Sequence, residues 1–278
     1  MKEKIEILEC KIESKRNTQI PATFTYPRGK AAFPLILATH GFQSSRHEYG
    51  AYTKIAEKLA EHGIAVMRFD FPGNGDSMEP MSAYTITNNL DDMDRALKYV
   101  QENWEIEKGK VGLLGWSMGG CMAALFSKRH PEIQTMALWA PALCNTDIIQ
   151  LTGGKEGYLK DFENAIKCGS CKVELDWCTC ELSREYFLEM LRCNPFEAMS
   201  QYKGELFVAV GMLDSVIDAT KVRLAVAGAV NAKKVTTCYF ENGDHDLGTA
   251  YGKGEGNPKI MQKLLNDTVG FFDRALGN

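Results

Sequence analysis

Val111-Gly-Leu-Leu-Gly-Trp-Ser-Met-Gly-Gly120 is the stretch that decides how the rest of this 278-residue chain is read. A short apolar run, Val111 to Leu114, leads into Gly115-Trp116-Ser117-Met118-Gly119, and a helix-compatible segment, Cys121 to Lys128, follows at once. That is a G-x-S-x-G pattern set between a strand and a helix. A chain that reverses from strand to helix within two residues packs backbone on backbone, so a Cβ at either flank would collide. Ser117 is then expected above the end of a sheet, its hydroxyl exposed. The helix N-terminus beneath it carries partial positive charge, which suits an anionic intermediate. Five-residue patterns of this kind also arise by chance, so the reading rests on agreement elsewhere in the chain.

Working outward toward the N-terminus, residues 2–12 and 20–26 alternate apolar with charged or polar residues and read as an antiparallel hairpin at a sheet edge. Leu35-Ile-Leu-Ala-Thr39 is a near-continuous apolar run, as a strand covered on both faces requires, and it ends in His40-Gly41-Phe42. Tyr49 to His62 has helical spacing and stops at Gly63. Ile64 to Asp70 is the next buried strand, and Ile86 to Trp104 a long amphipathic helix. Toward the C-terminus come strands at 134–140, 205–210 and 235–240 and helices at 218–230 and 258–276. Strict alternation of strand and helix predicts an α/β chain with a doubly wound, mostly parallel sheet. Between Pro141 and about Gln201 the alternation breaks, which reads as an insertion.

A serine hydroxyl is a weak nucleophile near neutral pH and needs a base within hydrogen-bond reach, with a third group to orient that base. The chain has five histidines. His47, His62 and His130 fall at charged loop or helix-end positions and read as surface residues. His245, in Glu241-Asn-Gly-Asp-His-Asp-Leu247, lies on a glycine-containing loop just past the last strand. Chemistry in an open parallel sheet gathers at the carboxyl ends of its strands. The acid is therefore sought there, and Gly211-Met-Leu-Asp214 directly follows Val210. Asp218 is the alternative acid, but it opens a helix and reads more simply as an N-cap.

With these motifs in place the chain resembles the α/β-hydrolases, serine hydrolases of the esterase and lipase type with a small inserted cap. It is similar to cinnamoyl and feruloyl esterases and to prolyl-type aminopeptidase-like hydrolases. The resemblance covers nearly the whole chain outside 142–200 and implies a core of residues 1–141 and 202–278. A cap subdomain, 142–201, would fall between the sixth and seventh strands of the sheet. Ser117, Asp214 and His245 stand in the chain order of that fold's triad. Phe42 and Met118 correspond to the two amides of its oxyanion hole. The Asp70-to-Ser77 loop resembles the family's D-x-R-G-x-G-x-S, with Pro72 where arginine is common; that loop is usually structural. His40, Gly41, Trp116 and, from the cap, Trp177 are the candidate substrate contacts. The mechanism so implied is acyl transfer through an acyl-enzyme and needs no metal or organic cofactor.

Composition narrows the partners. A net charge of -4 with acids and bases interspersed offers no phosphate-binding face and argues against nucleic acid. No run approaches the ~18 apolar residues that span a bilayer, and the first ten residues have no signal-peptide core, so neither membrane nor secretion is expected. Nine cysteines, an odd number, favour reduced thiols in a cytoplasm. Cys168, Cys171, Cys178 and Cys180 invite a zinc reading, but C-x-C is not usual ligand spacing, and a small hairpin with partly buried thiols is simpler. The expected ligand is a small-molecule ester. An amidase or aminopeptidase of the same fold, a non-catalytic receptor on its scaffold, and the oligomeric state, a homodimer included, are left open.

Overall fold

Two alternating segments, β1 (Ile5–Glu13) and β2 (Gln19–Pro27), pair antiparallel from Ile5↔Pro27 to Glu13↔Gln19. In the computed structural model, which describes residues 4–144, 154–175, 178–249 and 256–277, this hairpin forms one edge of an eight-stranded sheet. The other strands in chain order are β3 (Ala32–Thr39), β4 (Ala65–Phe69), β5 (Glu105–Trp116) and β6 (Thr135–Trp139). A separate hairpin of β7 (Ser170–Glu174) and β8 (Thr179–Ser183) follows, and then β9 (Glu205–Gly211) and β10 (Lys234–Phe240). The sheet runs β1-β2-β4-β3-β5-β6-β9-β10. Every neighbouring pair from β4 to β10 is parallel, and β2 meets β4 antiparallel.

The apolar runs divide between two cores because alternate residues of a strand face opposite sides. Leu35, Leu37, Leu113, Met136 and Leu138 enter one core, with α2 (Ile86–Asn103) and α3 (Met118–Arg129) packed over it. Ile36, Ala38, Leu114, Ala137 and Trp139 enter the other, covered by α1 (Ala51–Glu61) and by the C-terminal helix Pro258–Leu276. A sheet buried on both faces is the physical reason these strands carry no polar alternation. None of the helices among the described residues is long and apolar enough to cross a membrane.

The connections place the site. From β3 the chain goes to β4 on one side through α1, and then returns through α2 to β5 on the other side of β3. The loops leaving β3 and β5 therefore diverge, and the crevice between them at the strands' carboxyl ends is the topological switch point where open α/β sheets bind ligands. Gly41 and Phe42 leave β3 there, and Ser117 leaves β5.

Between β6 and β9 the chain makes α4 (Gly154–Cys168), the β7–β8 hairpin, α5 (Arg184–Arg192) and α6 (Pro195–Gln201). Ser183 to Leu191 reads from the sequence as a charged helix and is α5 here; α4 and α6 emerge from the structure. Tyr158, Phe162, Tyr186 and Phe187 pack on one another with ring centroids 5.7–6.3 Å apart, so the insertion has a small aromatic core of its own. Glu189 on α5 accepts from Thr87 N at 2.8 Å and Thr87 Oγ1 at 2.7 Å, tying the insertion to the first turn of α2. Cys171 and Cys180 are buried in the hairpin, where desolvation raises their thiols to about 11 and about 12. Cys168 is exposed at the end of α4, and Cys178 is half-buried. After the insertion, α7 (Ala219–Gly228) joins β9 to β10, and the C-terminal helix is α8 (Pro258–Leu276).

Candidate active site

Ser117 sits between β5 and α3 with φ 52° and ψ −119°, a backbone conformation disfavoured for a residue with a side chain. The glycines around it make this turn possible. A Cβ on Gly119 would lie 1.9 Å from Thr39 O, one on Gly115 2.5 Å from Gly119 O, and one on Gly120 2.5 Å from Pro141 Cβ. The first of these is backbone against backbone and cannot relax without separating α3 from β3. Gly119→Ala is accordingly expected to destabilise the fold by about 3–5 kcal/mol in urea denaturation. An unchanged unfolding midpoint would mean that the turn is looser than this packing requires.

The loops after β9 and β10 are held together in the same way. A Cβ on Gly211 would lie 2.2 Å from Asp244 O, and Leu213 N donates to Gly243 O at 2.8 Å. This brings Asp214 and His245 side by side. Asp214 Oδ2 lies 2.8 Å from His245 Nδ1, while Oδ1 accepts from Val216 N and Ile217 N at 2.8 Å each. Three hydrogen bonds leave this fully buried carboxylate one orientation. His245 Nε2 lies 3.0 Å from Ser117 Oγ, and Trp116 Nε1 donates to His245 O at 3.3 Å. Serine, histidine and aspartate from three separate strand ends thus form one hydrogen-bonded chain. With the carboxylate on Nδ1, the proton belongs on that nitrogen, and Nε2 is left as the acceptor facing the serine.

A cavity of about 230 Å³ opens over Ser117. Phe42, Tyr49, Trp116 and Val216 supply its apolar wall, and Gly41 borders it too. The amides of Phe42 and Met118 have no acceptor among the described residues, so both are free to donate to a ligand oxygen. Carboxyl groups line the cavity as well: Glu48, Asp244 and Asp246. Burial, reinforced by neighbouring Asp244, raises Asp246 to about 6. Burial also raises Glu48, to about 7, against the lowering effect of bonds from Gly41 N and Ser44 Oγ.

Other candidates fall elsewhere. His40, expected to touch substrate, does not reach the cavity. It has no exposed surface; its Nε2 accepts from Phe71 N at 3.0 Å and its Nδ1 faces Gly41 O at 2.7 Å. With both nitrogens spent on backbone, and with burial holding its pKa down, it is a neutral brace between two loops. Asp70 accepts from Arg46 N and from Asp76 N at 2.6 and 2.9 Å and pairs with the Arg46 guanidinium, the structural role its loop suggests. Asp218 caps α7 by accepting from Thr220 N at 2.8 Å. Tyr158, Phe162 and Tyr186 belong to the insertion's core and do not line the cavity. The Tyr186 ring lies 6.2 Å from that of Phe42, tilted by 40°. Trp177 lies outside the described residues.

Glu48 was hidden from a reading of the residues because it precedes a stretch with helical periodicity. The helix begins at Ala51 rather than Tyr49, since Glu48, Tyr49 and Gly50 have φ of 41°, 50° and 85°. Gly50 was the available signal, marking a left-handed position just before the helix.

Comparison with known proteins agrees with this architecture. The family described as serine aminopeptidase, S33 (Hydrolase_4) matches residues 31–161. A protein of Escherichia coli described as an uncharacterized 31.7 kDa protein in the traX-finO intergenic region is 28% identical over 120 residues, 43% of this chain and 41% of that one. The chain thus aligns with about two fifths of the length of the curated relatives it matches first. Among solved structures, Est1E from Butyrivibrio proteoclasticus, with ferulic acid bound, superposes with a TM-score of 0.78 at 17% identity, covering 97% of this chain and 100% of that one. The esterase domain of a Rhodothermus marinus protein gives 0.71 at 18% identity, covering 98% and 100%. The chain has the α/β-hydrolase fold.

Proposed function

We propose that this protein is a serine hydrolase that cleaves small or medium carboxylic esters through an acyl-enzyme. The observation that carries the reading is the unbroken chain Asp214–His245–Ser117, with contacts of 2.8 and 3.0 Å, whose Ser117 and His245 line a cavity shared with Phe42. Ser117 Oγ attacks the acyl carbonyl as His245 Nε2 takes its proton. Asp214 holds the tautomer and stabilises the imidazolium, while the Phe42 and Met118 N–H groups receive the negative oxygen. The imidazolium returns its proton to the leaving alcohol. Water then repeats the sequence on the acyl-enzyme.

The aromatic wall of Phe42, Tyr49 and Trp116 and the modest cavity support compact, flat acyl groups. The bound ferulic acid in the structurally similar Est1E points the same way, so hydroxycinnamoyl esters are the first substrates to try. One observation favours a second reading. The carboxyls of Glu48, Asp244 and Asp246 line the cavity and would suit a substrate ammonium, as an aminopeptidase requires. The triad would serve either reaction unchanged.

A fluorophosphonate is expected to label Ser117 alone, since only a base-activated serine beside an oxyanion hole reacts at a useful rate. Peptide mapping that placed the label on Ser77, or found none on active protein, would overturn the assignment of Ser117 as nucleophile. Side-by-side kcat/KM values for p-nitrophenyl esters, hydroxycinnamate esters and aminoacyl amides then separate esterase from aminopeptidase.

A further inference from the structure

The loop that carries Phe42 is held at two points. Glu48 Oε1 accepts from the Gly41 N–H, and Glu48 Oε2 accepts from Ser44 Oγ at 2.8 Å. His40 Nδ1, protonated because its Nε2 accepts from the Phe71 amide, donates to Gly41 O at 2.7 Å. A peptide unit is planar, with its C=O and N–H pointing in opposite directions. Fixing the Gly41 carbonyl therefore fixes where the Phe42 N–H points, and fixing the Gly41 N–H stops the residue from rotating about its own φ. A Cβ built on that glycine would meet Ser117 Cβ at 3.3 Å and Glu48 Oε1 at 3.4 Å, so it runs directly between the two.

We propose that Glu48 is a positioning residue for the oxyanion hole, its carboxylate pinning the Gly41 amide so that the Phe42 N–H is presented to the substrate oxygen at Ser117. This rests on the serine-hydrolase reading above. Two features of the structure single out Glu48. The carboxyl group reaches Gly41 only because Glu48 and Tyr49 adopt left-handed backbone at φ 41° and 50°, a conformation disfavoured for side-chain-bearing residues and typical of functional sites. It is also 97% buried on the wall of the reactive cavity, where a carboxylate accepts from both Gly41 N and Ser44 Oγ at a desolvation cost that a neutral side chain would avoid.

The charge has a use of its own. The groups that act on Glu48 are His245 and Asp246 of the loop after β10, Tyr52 on α1 and Tyr84 ahead of α2. His245 in its imidazolium form favours the Glu48 anion, and the effect is reciprocal: the anion favours the imidazolium that forms when Ser117 gives up its proton. Burial brings Glu48 to about 7, so its ionisation falls within the working range. The anion is therefore the more active form. Turnover should rise with pH through this ionisation.

The test counts active sites by end-point fluorophosphonate labelling and reports turnover of a p-nitrophenyl ester per labelled site. Glu48→Ala frees the Gly41 amide and should lower kcat per site by about 10²-fold with KM within about threefold, the pattern of a lost transition-state donor. Glu48→Gln keeps an oxygen for that amide but not the charge, so it should recover only the part of the rate that the Gly41 hydrogen bond supplies. It removes the Glu48 ionisation, so the acid limb of log kcat/KM against pH should lose its inflection at about 7 and become shallower than in the wild-type protein. Unchanged kcat per labelled site in Glu48→Ala, or a wild-type acid limb in Glu48→Gln, would overturn the proposal. Where Glu48→Ala does not fold, the limb of Glu48→Gln decides alone. Failure of the wild-type protein to label at Ser117 would overturn the serine-hydrolase reading itself, an outcome distinct from either of these.

Discussion

Ser117→Ala is expected to lower ester turnover by about 10⁶-fold while leaving the fold intact. The Oγ that leaves is the only atom on the residue whose role is chemical. Ser117 N still donates to Trp139 O at 2.9 Å, and Ser117 O still accepts from Gly120 N at 2.9 Å and Ala142 N at 2.9 Å. Alanine keeps the Cβ against which Gly41 packs and is no worse suited than serine to φ 52°. The loss should also be shared. Because Oγ and Nε2 act as one unit, adding His245→Ala to Ser117→Ala should cost almost nothing more, whereas each substitution alone should be nearly as damaging as the pair. What remains, about 10³–10⁴ over water, belongs to the two free amides and to binding. Steady-state assays of the two single variants and the double variant, each checked by circular dichroism, measure this directly. A folded Ser117→Ala that kept more than about 1% of the rate would remove Ser117 from the reaction.

Much of this arrangement was legible in the residues, for reasons that differ from element to element. The strands were plain because a sheet buried on both faces demands runs such as Leu35-Ile-Leu-Ala, which no amphipathic helix imitates. The turn at Ser117 was plain because a backbone that closely packed admits only glycine, and its glycines stand at 115, 119 and 120. The long-range pairing of Asp214 with His245 was inferred from each lying just past a strand end, and the 2.8 Å contact agrees with that placement. Two things were not legible. Glu48 enters the site through left-handed backbone at a position whose neighbours have helical spacing, and periodicity reports which face of an element is buried, not where a loop bends. Of the insertion, the break in alternation, the cysteine hairpin and helix α5 were visible, but α4 and α6 were not. Helix α4 turns Tyr158 and Phe162 to Phe187, roughly 25–30 residues away, so local pattern carried little of its signal.

Asp214→Asn is the sharpest test of the orienting acid, with an expected loss of about 10⁴-fold in turnover and little change in stability. The substitution preserves shape, and the geometry dictates how the amide will sit. Val216 N and Ile217 N both donate to Oδ1 at 2.8 Å, so the asparagine oxygen must take that position and its NH₂ group must face His245. Two donors cannot share a hydrogen bond. The imidazole therefore leaves Nδ1 unprotonated to accept from the amide, and its proton moves to Nε2, which then donates to Ser117 Oγ instead of accepting from it. The base is present, correctly placed and in the wrong tautomer. Raising the pH should restore little of the rate in the range where the imidazole is neutral, because the tautomer and not the charge is at fault. Asp218→Asn provides the control: it keeps an oxygen for Thr220 N at the start of α7 and should change turnover by less than about twofold. A reversed pair of results, with Asp218→Asn crippled and Asp214→Asn active, would move the acid one turn of chain downstream and break the chain of contacts from which the mechanism is built.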